Sequence, residues 1–282
     1  MAPIFVKQSA ARRQLEDCTW TEIAAMSESG GANGYWHVGD KKTITLSGEV
    51  NGIFEVQIAD FDFYDKADGS GKAGIVFAFT KNIINDADAS YGQRFNYGST
   101  GKINMLGDEL SIIKASLPSE LKALIKTVKI RNANGTTGLL PGSGPHYGPR
   151  PNCVETTDAD LFPPSYAEIT NGGTFYRNCI ATTSSSTQRE LVKEGPALEL
   201  YKYSMSDNLA GTPLDKGGST FLRTVYSTFS GYYPGYIYIK GYSINAEGKI
   251  VTLDCSLSQD FYGDENVTGT GATMGLCPMF CV

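Results

Sequence analysis

Gly74-Ile-Val-Phe-Ala-Phe-Thr80 decides the fold. The run is apolar at odd and even positions alike, which predicts a central strand covered on both faces. Upstream, Phe54, Val56 and Ile58 alternate with Glu55 and Gln57 over Ile53 to Phe61, so this strand is expected to have one dry and one wet face. Before it, Thr43-Ile-Thr-Leu46 reads as a short strand that follows a turn at Tyr35 to Asp40. Short strands recur late in the chain, over 197–203, 220–226, 236–240, 249–253 and 277–282. No alternating βαβ rhythm runs through these segments, so the expected class is α+β with mainly antiparallel sheet, two or three helices and long loops.

The helices announce themselves by caps and spacing. Thr19-Trp-Thr-Glu22 fits a capping box, and the helix after it should stop at Gly30-Gly31. Ile103, Leu106, Leu110 and Ile113 recur at helical spacing, as do Leu121, Leu124, Ile125 and Val128, with Pro118 suited to the first turn of the second helix. Residues 132–164, rich in Gly, Pro, Asn and Thr, read as one long excursion, and Thr182 to Thr187 as a second loop. Residues 1–17 lack periodicity and read as an arm that docks on a neighbouring chain, leaving 18–282 as a single domain.

Composition narrows the function. The 282 residues carry 41% hydrophobic and 19% charged residues, with 32 Gly and 16 Tyr, the profile of a folded, turn-rich and strand-rich protein. A net charge of −6 and a pI near 5.1, without a Lys/Arg stripe, argue against nucleic acid as a partner. No stretch approaches a membrane span, and Met1 to Cys18 has no apolar core of a secretory signal, so synthesis in a cytosol is expected. The six cysteines are too sparse for a disulfide scaffold, and Cys277 and Cys281 read as small buried hydrophobes.

Catalytic and cofactor patterns are missing from the sequence. The two histidines, His37 and His146, form no zinc motif and stand beside no nucleophile elbow; His37 reads as packed or turn-capping and His146 as solvated. No glycine pattern has the spacing of a phosphate cradle, and no cofactor is expected. Asp60, Asp62, Asp65 and Asp68 offer oxygen ligands for Ca²⁺, against a plainer reading as a solvated turn capped by Asp side chains. Carboxylates such as Asp60 or Asp264 leave a polysaccharide hydrolase open as a minor alternative. The positive feature is aromatic density from Tyr226 to Tyr242, where Tyr232, Tyr233 and Tyr236 are the candidate ligand-binding residues.

The run Trp20-Thr-Glu-Ile23 followed by Tyr35-Trp-His-Val-Gly-Asp-Lys-Lys-Thr-Ile-Thr-Leu46 resembles the opening of a domain of unassigned function common in bacterial prophages and phage structural genes. Ile58-Ala-Asp-Phe61, Leu117-Pro-Ser-Glu-Leu121, Asp160-Leu-Phe162, Phe221-Leu-Arg223 and Gly275-Leu-Cys-Pro-Met-Phe280 follow in the family's order, with Phe221 in place of the more usual Trp. The resemblance spans residues 19–282. It implies a C-type-lectin-like fold that brings both chain ends into one sheet, and a surface-exposed binding module on a virion, with no catalytic residues. The function so implied is a virion structural protein for host-surface glycan adhesion, joined to other virion proteins through the arm and present as a homo-oligomer in the particle. The alternative is a capsid or tail decoration protein without a host ligand.

Overall fold

The computed structural model describes residues 13–84, 95–97, 103–105, 107–133, 154–170, 195–202, 216, 218, 220–229, 237–244, 250–255, 257–259, 265–267 and 275–282. Its centre is a five-stranded antiparallel sheet in the order β1-β2-β3-β14-β8. These strands are β1 (Lys41–Leu46), β2 (Gly52–Phe61), β3 (Ile75–Phe79), β8 (Leu161–Phe162) and β14 (Met279–Cys281). Five short helices are described: α1 (Trp20–Glu28), α2 (Ala32–Tyr35), α3 (Gly107–Ser116), α4 (Ser119–Leu124) and α5 (Tyr166–Thr170). Smaller antiparallel pairs are β4 (Phe95–Tyr97) with β5 (Ile103–Met105), β6 (Val128–Ala133) with β7 (Val154–Ala159), and β12 (Leu257–Gln259) with β13 (Glu265–Val267). A three-stranded antiparallel sheet holds β9 (Thr220–Phe229), β10 (Ile237–Ile244) and β11 (Ile250–Cys255). The class is α+β, as the strand pattern predicts.

All five residues of β3 are buried, because both faces of the sheet are covered. Ile75, Phe77 and Phe79 face a core built with Trp20 and Ile23 of α1, Ile113, Leu117 and Leu121 of the α3–α4 region, and Phe280. Val76 and Ala78 face a second core made with Met279, Phe162, Tyr166, Tyr201, Leu222 and Ile244. β2, β3, β8 and β14 contribute alternate residues to the two cores, the expected consequence of a period of two, whereas edge strand β1 gives Ile44 and Leu46 to the first core and leaves its other face exposed. On the first side, Trp20 meets Phe77 edge-on at 5.5 Å, and Phe77 stacks on Phe280 at 5.5 Å.

Helix α1 begins with the capping box read from Thr19 and Glu22, and leaves through Gly30 at φ 70°. Its far end comes so close to the sheet that a Cβ on Gly74 would stand 2.6 Å from the Ser27 carbonyl oxygen. The Ser27 hydroxyl donates to the Val282 carbonyl, so helix, central strand and final strand meet at one point. Arg13 to Asp17, within the span read as an arm, packs on the domain itself: Leu15 is buried and the Glu16 carboxylate accepts the Thr43 N–H at 2.6 Å.

Several expectations need correction. The second face of β2 is wet only over its first half, where Ile53 is exposed and Glu55 pairs with Lys41; further on Gln57 is buried and Ala59 enters the second core, which alternation in one strand does not foresee. The helix expected from Ile103 starts at Gly107; Ile103 belongs to β5, where it pairs with Tyr97, and Leu106 lies outside the described residues. The helix at Leu121 stops at Leu124, because Ile125 turns extended and Val128 is drawn into pairing with Ala159. Residues 197–202 form no strand, and Tyr203 lies outside the described residues. Leu198 and Tyr201 are buried instead through a 3-10 turn, Glu199–Tyr201, held by the Leu198 N–H to the Glu168 carbonyl at 2.8 Å. Part of the excursion read over 132–164 is regular, since β7 and β8 occupy its end.

Candidate functional site

The acidic run that begins at the end of β2 divides its work: Asp60 and Asp68 accept backbone N–H groups, and Asp65 pairs with a lysine. Asp60 accepts the N–H groups of Phe61 at 2.7 Å and Glu199 at 2.9 Å, so both of its oxygens are engaged by backbone. Burial raises its pKa despite those two donors. Asp62 takes a positive φ of 49°, Asp65 pairs with Lys72 at 3.5 Å, and Asp68 accepts the Ser70 N–H at 2.8 Å. The four carboxylates do not converge, and among the described residues no group of three or more His, Cys, Asp or Glu is arranged to hold a metal ion. Asp264 lies outside the described residues, as does His146. His37 is exposed rather than packed, and its N–H is bound by the Asp40 carboxylate at 2.9 Å.

Cys18, Cys277 and Cys281 are free, buried thiols. Burial pushes all three pKa values up, which keeps them protonated and unreactive. Cys277 donates to the Phe79 carbonyl at 3.0 Å and so behaves as a small core residue with a hydrogen bond. Cys153 and Cys179 lie outside the described residues.

The strongest buried electrostatic feature joins Glu168 of α5 to Arg223 of β9 in a two-pronged ion pair with side chains almost wholly enclosed. Glu168 also accepts the Ser165 N–H at 2.9 Å, and Arg223 reaches the Pro163 carbonyl at 2.8 Å and the Arg131 carbonyl at 3.3 Å. Tyr64 lies in the same enclosure, where burial first and the negative charge of Glu168 next push its phenol pKa well above the ordinary value. The pair ties β6, α5 and β9 to one centre, and no motif in the sequence linked Glu168 to Arg223.

Several residues of the quoted runs have structural roles in this scaffold. Trp20 and Phe280 fill the first core, and the Glu120 carboxylate accepts both the N–H and the hydroxyl of Thr21 at 2.9 Å. Asp160 holds Lys114 and Thr127, and Arg223 holds Glu168. Tyr232, Tyr233 and Tyr236 lie outside the described residues. The strands that bound them are described: β9 and β10 pair antiparallel, closing at Phe229 opposite Ile237, so the tyrosine-bearing segment joins adjacent strands of the three-stranded sheet. The described residues build an α+β scaffold with buried polar ties. Comparison with known proteins found no matching family model, no matching curated protein and no matching solved structure.

Proposed function

We propose that this chain is a bacteriophage virion protein that displays a C-type-lectin-like domain on the particle for adhesion to host-surface glycan. The observation that carries the reading is the division of labour along the chain. The residues by which it resembles the phage domain family are spent on caps, core and the buried ion pair. What is left for recognition is the set of connecting segments, above all the one bounded by Phe229 and Ile237 that carries Tyr232, Tyr233 and Tyr236. Rigid aromatic side chains on a connection between paired strands suit a recognition surface. Many weakly held copies on one particle make even modest single-site affinity effective. Attachment to other virion proteins falls to residues 1–12, since Leu15 is already committed to the domain's own core.

Purified chain and phage particles test this together. The expected outcome is saturable binding of the chain to the envelope of the host bacterium, and loss of particle association, with the domain still folded, when residues 1–12 are deleted. Particle association without any saturable host binding moves the assignment to a decoration protein. Retention of the truncated chain on the particle removes the role of the arm.

A further inference from the structure

We infer that Lys216 and Cys277 form a modification site, at which dioxygen links the lysine nitrogen to the cysteine sulfur through a single oxygen atom. This site is independent of the adhesion reading. It is built on one carbonyl. The Phe79 oxygen, at the end of β3, accepts from the Lys216 ammonium at 2.8 Å and from the Cys277 thiol at 3.0 Å. Two side chains bonded to one oxygen adjoin each other, and Lys216 also hydrogen-bonds to the Cys277 sulfur itself. Lys216 is 3% exposed and Cys277 2%, so the pair is shut off from bulk water and from bulky reagents.

A fully buried lysine is normally paired with a carboxylate. Lys216 has instead the Phe79 carbonyl, the Cys277 sulfur and the face of the Tyr201 ring at 6.0 Å, and no described carboxylate forms an ion pair with it. Its nitrogen is thus not committed to a counter-charge. Burial raises the Cys277 pKa, while the charge and hydrogen bond of Lys216 pull against it. Towards reagents in solution this thiol is as inert as Cys18 and Cys281, but among the three it alone has an amine against its sulfur. At Cys18 the neighbouring lysine, Lys42, is spent on the Glu16 and Cys18 carbonyls, and the thiol donates to the Gln14 carbonyl at 3.4 Å. Dioxygen is small and apolar, and side-chain fluctuations admit it to such a pair. Lys216 first gives up its ammonium proton. The S–H bond, one N–H bond and the O–O bond break, S–O and O–N bonds form, and the second oxygen atom leaves as water with both hydrogens. Sulfur and nitrogen each lose two electrons, and dioxygen takes up all four. The product joins the approach to β9 to the approach to β14 around the end of β3, a cross-link that constrains the unfolded chain.

The test uses the full chain, purified without oxygen and then held in air-saturated buffer, with intact mass and peptide mapping as readouts. The expected result is a gain of one oxygen less two hydrogens and one linked peptide pair that contains Lys216 and Cys277. Isotopically heavy dioxygen should add its label to that product. Dithiothreitol should restore the starting mass, since the sulfur of the bridge is open to attack by a thiolate, and the linked chain should unfold at a higher urea concentration than the reduced one. Lys216→Arg and Cys277→Ser, which each keep a donor for the Phe79 carbonyl, should abolish the linked species. Mapping of the unsubstituted chain decides the matter should either variant fail to fold. A gain of whole oxygen atoms on Cys277 with Lys216 unlinked, the ordinary ladder of cysteine oxidation, overturns the proposal. So does a mass unchanged after prolonged exposure to air, a direct S–N link without oxygen, or linkage of a different lysine and cysteine.

Discussion

Glu168 and Arg223 sit 55 residues apart in the chain and share a site from which water is excluded. Moving both charges out of water is costly, and their mutual attraction with the Ser165 N–H and the Pro163 and Arg131 carbonyls offsets that cost only while the set is complete. Removing one partner leaves the other charge buried and uncompensated. Glu168→Gln is therefore expected to destabilise the fold by about 3–5 kcal/mol, whereas the double change Glu168→Leu with Arg223→Met should cost clearly less than either single change. Urea unfolding of Glu168→Gln, of Glu168→Leu and Arg223→Met singly, and of the double variant checks this; additive losses in the double variant would mean that the two side chains act separately. Arg223 stood out in the sequence inside Phe221-Leu-Arg223, but its partner did not, because nothing local marks which of the chain's acids a buried arginine will meet.

Helix α1 is short, and what holds it is mostly beyond its own nine residues. Its first turn is closed by Glu22, its Thr21 is gripped by Glu120 of α4, and its last residue, Glu28, pairs with Lys126 at 2.6 Å and Lys66 at 3.1 Å. The hydrogen bond from Lys126, then that from Lys66, hold the Glu28 carboxyl below its ordinary value of 4.5. The hydrogen bond from the Thr19 N–H, then Arg13, does the same for Glu22. At Asp160, burial pulls upward, but Lys114 and Thr127 prevail and the pKa is lowered. Groups with depressed folded-state pKa values contribute stability above their unfolded values and lose it as pH falls through the folded ones. Asp60, raised by burial, acts in the opposite sense, weakening the fold as pH rises past its ordinary 3.8. Asp68, held down by the Ser70 N–H, joins the depressed set. Four against one among the described carboxylates, the melting temperature should fall as pH drops below about 4.5, and Glu28→Gln should weaken that loss by no more than about 1 kcal/mol, given its exposure. Thermal melts of both proteins across this range check the sign; a slope unchanged by the substitution would mean that the pairs do not form in solution. The cap at Thr19 and the fully apolar β3 were readable because each is complete within a few residues. Gln57 and Val128 were misread because a distant layer and a distant strand settle their fate, and the tyrosines at 232, 233 and 236 lie where only their flanking register is described.

The two described ends of the chain complete each other. Strand β14 lies between β3 and β8, the Val282 N–H and carbonyl exchange hydrogen bonds with Ile75, and the Lys126 N–H donates to the Cys281 carbonyl. Phe280 is the ring on which both the helix and the strands converge, 6.1 Å from Trp20, 5.5 Å from Phe77 and 6.0 Å from Phe79. Each face of the sheet therefore stays open until the final residues arrive: Ser27 waits for a partner 255 positions away, and Phe79 for one 198 away. Contacts of this range must be formed at the full cost of loop closure, so folding is expected to be slow and chains that stop short of β14 to lack a complete core. Phe280→Ala should cost about 3–5 kcal/mol, a large share of the 5–15 kcal/mol typical of a domain. A chain ending at Pro278 should show no cooperative transition and yield quickly to protease, while one lacking only residues 1–12 should melt as the full chain does. Proteolysis of the two truncations side by side separates the outcomes. A protease-resistant chain without β14 would mean that β3 finds its cover from the helices alone, and that the closing strand fastens a fold already formed.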